Sequence, residues 1–242
     1  MAARDRAGNL SQLTPVAQTH PETIVAVAAG SFLALLAAVV AYGRVVDRRR
    51  RAAYQQFCLE RGFRFEHEQP GAEERHARTC PLLSQGHARH WGITITGTRS
   101  GVSFTAFEYQ WTTGHGKSAH THTIAALLWA LSRAGEKALP QLLLTPEGMW
   151  DKIAALFGGQ DIDFEDSPEF SRAYRLRGSD EAGVRALFTP DLRHIFAVDR
   201  DQHVAGAGSE LMWWRNGPLP PPEGLDEFLM EGERIRVLFD RG

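Results

Sequence analysis

The run from Ile24 to Tyr42 carries no charge, and Ser31 is its one polar side chain before the terminal tyrosine. A helix of about 19 residues, at a rise of about 1.5 Å each, spans roughly 28 Å, the hydrocarbon thickness of a bilayer. A core helix would carry a polar face, and this run has none. A secretory signal peptide would place its positive charges first, and here they follow. The pattern therefore predicts a transmembrane helix over residues 24–43, preceded by an extracytoplasmic tail over 1–23. Beyond it Tyr54, Phe57 and Cys58 keep helical spacing and Gly62 supplies a stop, so a basic juxtamembrane helix is expected over 44–61.

From there the period changes. Phe63–Glu66 alternates as a short strand, and residues 67–79 are polar, a loop or frayed helix. Pro81-Leu82-Leu83 is at most a buried anchor. Three alternating stretches, His90–Gly97, Val102–Trp111 and His120–Leu131, are separated by turn signals and read as an antiparallel meander. Phe107, Tyr109 and Trp111 share one face of the second stretch, and Val102, Phe104 and Ala106 the other. Gln141–Leu144 adds a fourth strand.

Thr145-Pro146-Glu147 reads as a helix start, with Met149, Ile153 and Leu156 as its stripe. Ser179-Asp180-Glu181 and Thr189-Pro190-Asp191 open two more helices. Arg172–Arg177 alternates as an edge strand, and Gln202–Ala205 with Glu210–Arg215 suggests a late hairpin. After the stiff connector Gly217–Pro222, a last helix lines up Leu225, Phe228, Leu229, Gly232, Ile235 and Phe239. The predicted class is α+β: an antiparallel β-meander packed with helices over residues 62–242, behind one N-terminal transmembrane helix.

Composition changes this picture little: 43% hydrophobic and 23% charged residues exclude wholesale disorder. Charge distribution changes it more. Residues 44–64 hold seven Arg against Asp47 and Glu60, a net +5, while residues 65–242 hold 18 basic and 25 acidic side chains, a net −7. An acidic body argues against nucleic acid as a partner. A basic collar behind the span orients it with the N-terminus out and the C-terminal domain in the cytoplasm. Cys58 and Cys80 fit that reducing side. Arg48, Arg49, Arg50 and Arg51 would either meet anionic lipid headgroups or act as a topology signal alone. Ala26, Gly30, Ala34 and Ala38 recur every four residues, a small-residue stripe that would allow a homodimer through the transmembrane helix.

Candidate chemistry is sparse. Gly116-Lys117-Ser118 lacks the upstream glycine of a phosphate loop, where Trp111 stands, and a strand follows it. His115, His120 and His122 are the metal candidates, with Glu108 able to complete a tetrahedral set; the competing reading is a polar hairpin tip. Asp161, Asp163 and Glu165 alternate, which could present three carboxylates to a hard cation, but the calcium-loop spacing fails, and the favoured reading pairs them with Arg172, Arg175 and Arg177 across strands. Of Trp213-Trp214, neighbours on opposite faces of a strand, one ring is expected near the surface. No cofactor is implied.

Several segments carry a resemblance: Phe107-Glu108-Tyr109-Gln110-Trp111 into Thr112-Thr113-Gly114, Leu139-Pro140 with Leu144-Thr145-Pro146-Glu147, Asp161-Ile162-Asp163-Phe164, Pro168-Glu169-Phe170-Ser171, and Leu187-Phe188-Thr189-Pro190. Over most of residues 52–240 the chain resembles bacterial single-pass membrane proteins whose cytoplasmic part is a domain of unknown function. The family-like Asp-Tyr pair is Glu108-Tyr109 here. The resemblance implies membrane location and architecture, not a reaction. The expected function is a membrane-anchored, non-enzymatic protein whose cytoplasmic domain binds a protein or membrane-surface partner; the alternative is a membrane-tethered metal-dependent enzyme using the histidine hairpin.

Overall fold

A computed structural model describes residues 21–131, 138–147 and 161–240. The chain divides into two compact units, Met1–Arg49 and Arg50–Gly242. Helix α1 runs unbroken over Pro21–Arg61. Among the described residues it is the one helix long and apolar enough to cross a membrane. Phe32, Leu33, Leu35, Val39 and Val40 on it are all exposed. Its end is a glycine cap: Gly62 takes φ +68°, its N–H reaches Leu59 O, and the Phe63 N–H donates to Cys58 O at 2.8 Å.

The second unit is built on one eight-stranded antiparallel sheet. Its strands are β1 (Arg64–His67), β2 (His87–Arg99), β3 (Val102–Thr113), β4 (His120–Ala130), β5 (Leu139–Pro146), β6 (Tyr174–Gly178), β7 (His203–Gly208) and β8 (Glu210–Asn216). Their spatial order is β1-β2-β3-β4-β8-β7-β5-β6. The meander, the late hairpin and the edge strand all form as their alternation predicts. The edge strand starts two residues late, because Pro168–Ala173 winds into helix α3 behind its proline.

Among the described residues five helices join α1: α2 (Ala72–His76), α3, α4 (Glu181–Leu187), α5 (Pro190–Val198) and α6 (Pro222–Asp240). The two expected caps are present. Asp180 accepts from the Gly183 N–H at 3.0 Å, and Thr189 from the Leu192 N–H with Pro190 at the first helical position. One expected start fails. Thr145 and Pro146 belong to β5, paired with Arg175 and Tyr174, so strand pairing overrides the local signal. The helix expected beyond, with Met149, Ile153 and Leu156, lies outside the described residues.

Alternation along the strands makes two cores. On one face Ile95, Phe104, Leu127, Leu144, Val204 and Trp213 meet side chains from α1, α3, α4, α5 and α6. On the other, Trp91, Phe107, Tyr109, Trp111, Met212 and Trp214 pack with Ala72, Cys80, Leu82 and Leu83. The Pro81–Ser84 turn is thus the expected anchor, fixed by the Tyr109 hydroxyl donating to Leu83 O at 2.6 Å. Two cores also correct one expectation: Trp213 and Trp214 are both buried, because each face of β8 has its own cover.

Candidate functional site

The best-built polar constellation in the sheet unit lies where α1 meets β3. Arg50, Tyr54, Phe57 and Arg61 form one stripe of the helix, three or four residues apart. Glu108 stands on the same β3 face as Phe104 and Ala106, a position the alternation reserves for an apolar side chain, and it is buried. A buried carboxylate needs donors around it. It has them: Arg50 donates from Nη2 at 2.6 Å and from Nη1 at 3.4 Å, and the Leu219 N–H donates at 3.0 Å. The bond to Glu108 raises the Arg50 pKa further, so this arginine holds its charge at any working pH.

Tyr54 extends the constellation by donating to Leu219 O at 3.1 Å and Pro220 O at 2.7 Å. Phe57 and Cys58 are buried beneath it, and Arg61 lies over the Phe57 ring and pairs with Asp226 of α6. The arrangement is a structural root. It fixes residues 50–61 to the sheet and to the 217–222 connector.

The basic collar therefore divides. Arg48 and Arg49 are exposed; Arg51 is half-buried. Arg50, expected with the headgroup-facing arginines, is held by Glu108 instead. Of the small-residue stripe, Gly30, Ala34 and Ala38 are exposed, and a methyl group added at Gly30 would meet nothing. The side chain of Ala26 lies outside the described residues.

The histidines of the β3–β4 hairpin occupy separate places. His115 stacks on His87, with ring centres 4.8 Å apart. His122 stacks on Trp111 at 5.0 Å, and its Nε2 lies 2.8 Å from the Thr113 hydroxyl; burial and the neighbouring His120 push its pKa down. His120 is exposed. Glu108, the expected fourth ligand, faces Arg50. Among the described residues no three His, Cys, Asp or Glu side chains gather into a metal set. Gly116–Ser118 is a single 3-10 turn leading into β4, so it has no helix for a phosphate to cap.

Of the predicted carboxylate–arginine pairs, Asp161–Arg177 forms at 2.6 Å. The others are exchanged. Arg175 pairs with Glu147 and Arg172 donates to Pro168 O. Residues 161–164 form no strand and Glu165 stands in a turn, so the strand alternation that would align the three acids is not formed.

Two buried polar groups escaped sequence reasoning. His203 is 1% exposed, stacked on Trp214 at 5.1 Å, and its Nδ1 has no partner; burial pushes its pKa down to about 4. It forms the floor of a polar depression of about 530 Å³ with Arg200, Asp201 and Arg215 on the rim. Arg193 sits in the buried stripe of α5 and pairs with Asp166. In all three cases, Glu108 included, the signal was a charged or polar residue at an apolar register position.

The fold is similar to the crystal structure of the mycobacterial trehalose monomycolate transport factor A, TtfA. The TM-score is 0.55 at 11% identity, over 79% of this chain and 94% of that one. At this identity the likeness is one of fold alone. No protein-family model matches the chain, and no curated protein matches it.

Proposed function

We propose that this chain is a membrane-anchored, non-enzymatic protein whose cytoplasmic α+β domain binds a protein partner. The observation that carries the reading is α1. From Ala29 to Gly43 it is an uncharged, uncovered apolar rod, and the same unbroken helix continues to Arg61, where its last turns are built into the sheet. A bilayer is the solvent that such an uncovered rod requires. The arginines behind the span favour a cytoplasmic domain, and Arg48 and Arg49 are free to meet anionic headgroups. The fold neighbour is named a transport factor. That name supports an accessory role for a domain of the same architecture, as does the resemblance to bacterial single-pass membrane proteins.

The test is affinity capture of the full chain from native membranes, paired with metal analysis of the purified protein. The expected result is a stoichiometric membrane-associated partner and no stoichiometric zinc. One zinc per chain, lost in the His120→Ala/His122→Ala double variant, would replace this reading with the metal-dependent enzyme.

A further inference from the structure

We propose that the β3–β4 hairpin is a second membrane contact, laying Lys117 and the imidazoles beside it on anionic lipid headgroups. The proposal deepens the membrane-anchored reading and rests on it.

Within the sheet unit, Arg50 grips Glu108 midway along β3, while Phe63, just past the end of α1, packs on Phe104 near the start of β3. Arg61 lies there too, in a groove it shares with Phe104 and Thr105. The root of α1 therefore runs antiparallel to β3, and the chain enters the unit from the end of the sheet where β3 finishes. Antiparallel pairing puts the starts of β2 and β4 at that same end. For a domain tethered through the residues before Arg50, this is the end turned to the bilayer. Eight residues of helix, about 12 Å, lead from Arg50 back to Tyr42, where the uncharged run stops. Five residues of strand, about 17 Å, lead from Glu108 out to Thr113. The strand beyond Glu108 is longer than the tether, so the hairpin can reach the headgroups.

Its chemistry is one-sided. Gly114–Thr121 is exposed at every position, with His115, Lys117 and His120 on it and Ala119 as its one apolar side chain. His87, Arg89 and His90, also exposed, stand beside it at the start of β2. Neither Pro81–Val102 nor Tyr109–Ala130 contains an Asp or Glu. Of the carboxylates on neighbouring segments, Glu74 is engaged by Arg89 at 3.4 Å and Glu68 lies 3.6 Å from His67, whose ring faces His90. Asp199 and Asp201 precede β7, beyond β8 in the strand order. His122 is turned onto Trp111 and Thr113 and takes no part.

The tip is a braced turn. The Ser118 N–H and hydroxyl both donate to His115 O, at 3.2 and 2.9 Å, and the His115 ring stacks on His87. A rigid, polar, acid-free tip matches a layer of negative headgroups, and it offers too little apolar surface to enter acyl chains or to seal a hydrophobic protein interface.

The test uses the full chain in nanodiscs, with a fluorophore on Ala119→Cys and headgroup-spin-labelled lipid as quencher. Cys58 and Cys80 are buried, which leaves the new thiol as the labelling site. Ser209→Cys, exposed in the turn between β7 and β8 at the other end of the sheet, is the control position. The label should be quenched at 119 and not at 209, and more strongly with phosphatidylserine in the disc than with phosphatidylcholine alone. Lys117→Gln should lower the docked-to-undocked ratio about fivefold. Moving from about pH 7.5 to about pH 5.5 should raise quenching as His87, His90, His115 and His120 gain charge, and the His115→Gln/His120→Gln double variant should lose most of that rise. Equal quenching at the two positions, or no response to lipid charge, pH and Lys117→Gln, would overturn the proposal. A chain that stays in the disc with its 119 label unquenched fails the hairpin contact alone, whereas a chain that leaves the disc fails the anchor.

Discussion

Glu108 is the residue on which the root of α1 depends. Replacing Arg50 with Ala leaves a buried carboxylate with the Leu219 N–H as its remaining donor, and an unsatisfied buried group costs about 1–3 kcal/mol. Arg50→Ala should lower the melting temperature of the full chain accordingly. Arg48→Ala and Arg49→Ala should leave it unchanged and weaken binding to anionic vesicles by about 1 kcal/mol each. Equal thermal effects from all three would contradict the division of the collar. His203 carries a pH dependence. Its folded pKa of about 4 lies below its ordinary 6.5, so the unfolded chain binds the extra proton between those values. Stability should be full above about pH 6.5 and fall by up to about 3 kcal/mol as pH drops toward 4. In His203→Phe the slope between pH 7 and 5 should flatten; an unchanged slope would assign it to other groups. The two thiols stay protonated at neutral pH, Cys58 pushed up to about 11 and Cys80 to about 12 by burial, so neither should react with alkylating reagents in the folded protein.

Among the elements, α6 and the end of α1 bear most on stability. Leu225, Phe228, Leu229, Ile235 and Phe239 are buried as their spacing predicts, with Phe228 against Trp213 at 5.0 Å between ring centres. Phe228→Ala should cost about 3–5 kcal/mol. Glu227 on the exposed side is the matched control, and its replacement by Ala should change stability by less than about 0.5 kcal/mol; Glu231 is unsuitable, being paired with Arg215. A stable Phe228→Ala variant would mean the helix is not part of the core. The root of α1 yields a sharper expectation. A chain beginning at Arg50 should fold, whereas one beginning at Gly62 loses Tyr54, Phe57 and Cys58 from the core and should melt far lower. For elements the sequence was informative wherever a signal was local. Asp180 and Thr189 cap the helices they precede, and the alternation of Val102–Trp111 assigns each side chain to its observed face. It misled at Thr145-Pro146, where a proline that resembles a helix start ends a strand held by pairing with β6.

For the whole molecule, the strand order was not legible. β4 lies beside β8, across some eighty residues of chain, and no local pattern encodes that neighbour. The same long-range pairing explains why both Trp213 and Trp214 are buried. The polar constellations were half visible. Glu108, Arg193 and His203 each break an apolar pattern, but their partners come from distant segments. The apolar run of α1 needed no partner to be recognised. Everything proposed for this chain rests on that helix anchoring the domain on the cytoplasmic side of a membrane. A reporter fused after Gly242, active only in its own compartment, reads the location without any knowledge of the partner. A cytoplasmic reporter should be active and a periplasmic one silent, with the fusion protein staying in the membrane fraction after an alkaline wash. Periplasmic activity, or release of the protein by the wash, would refute the anchor.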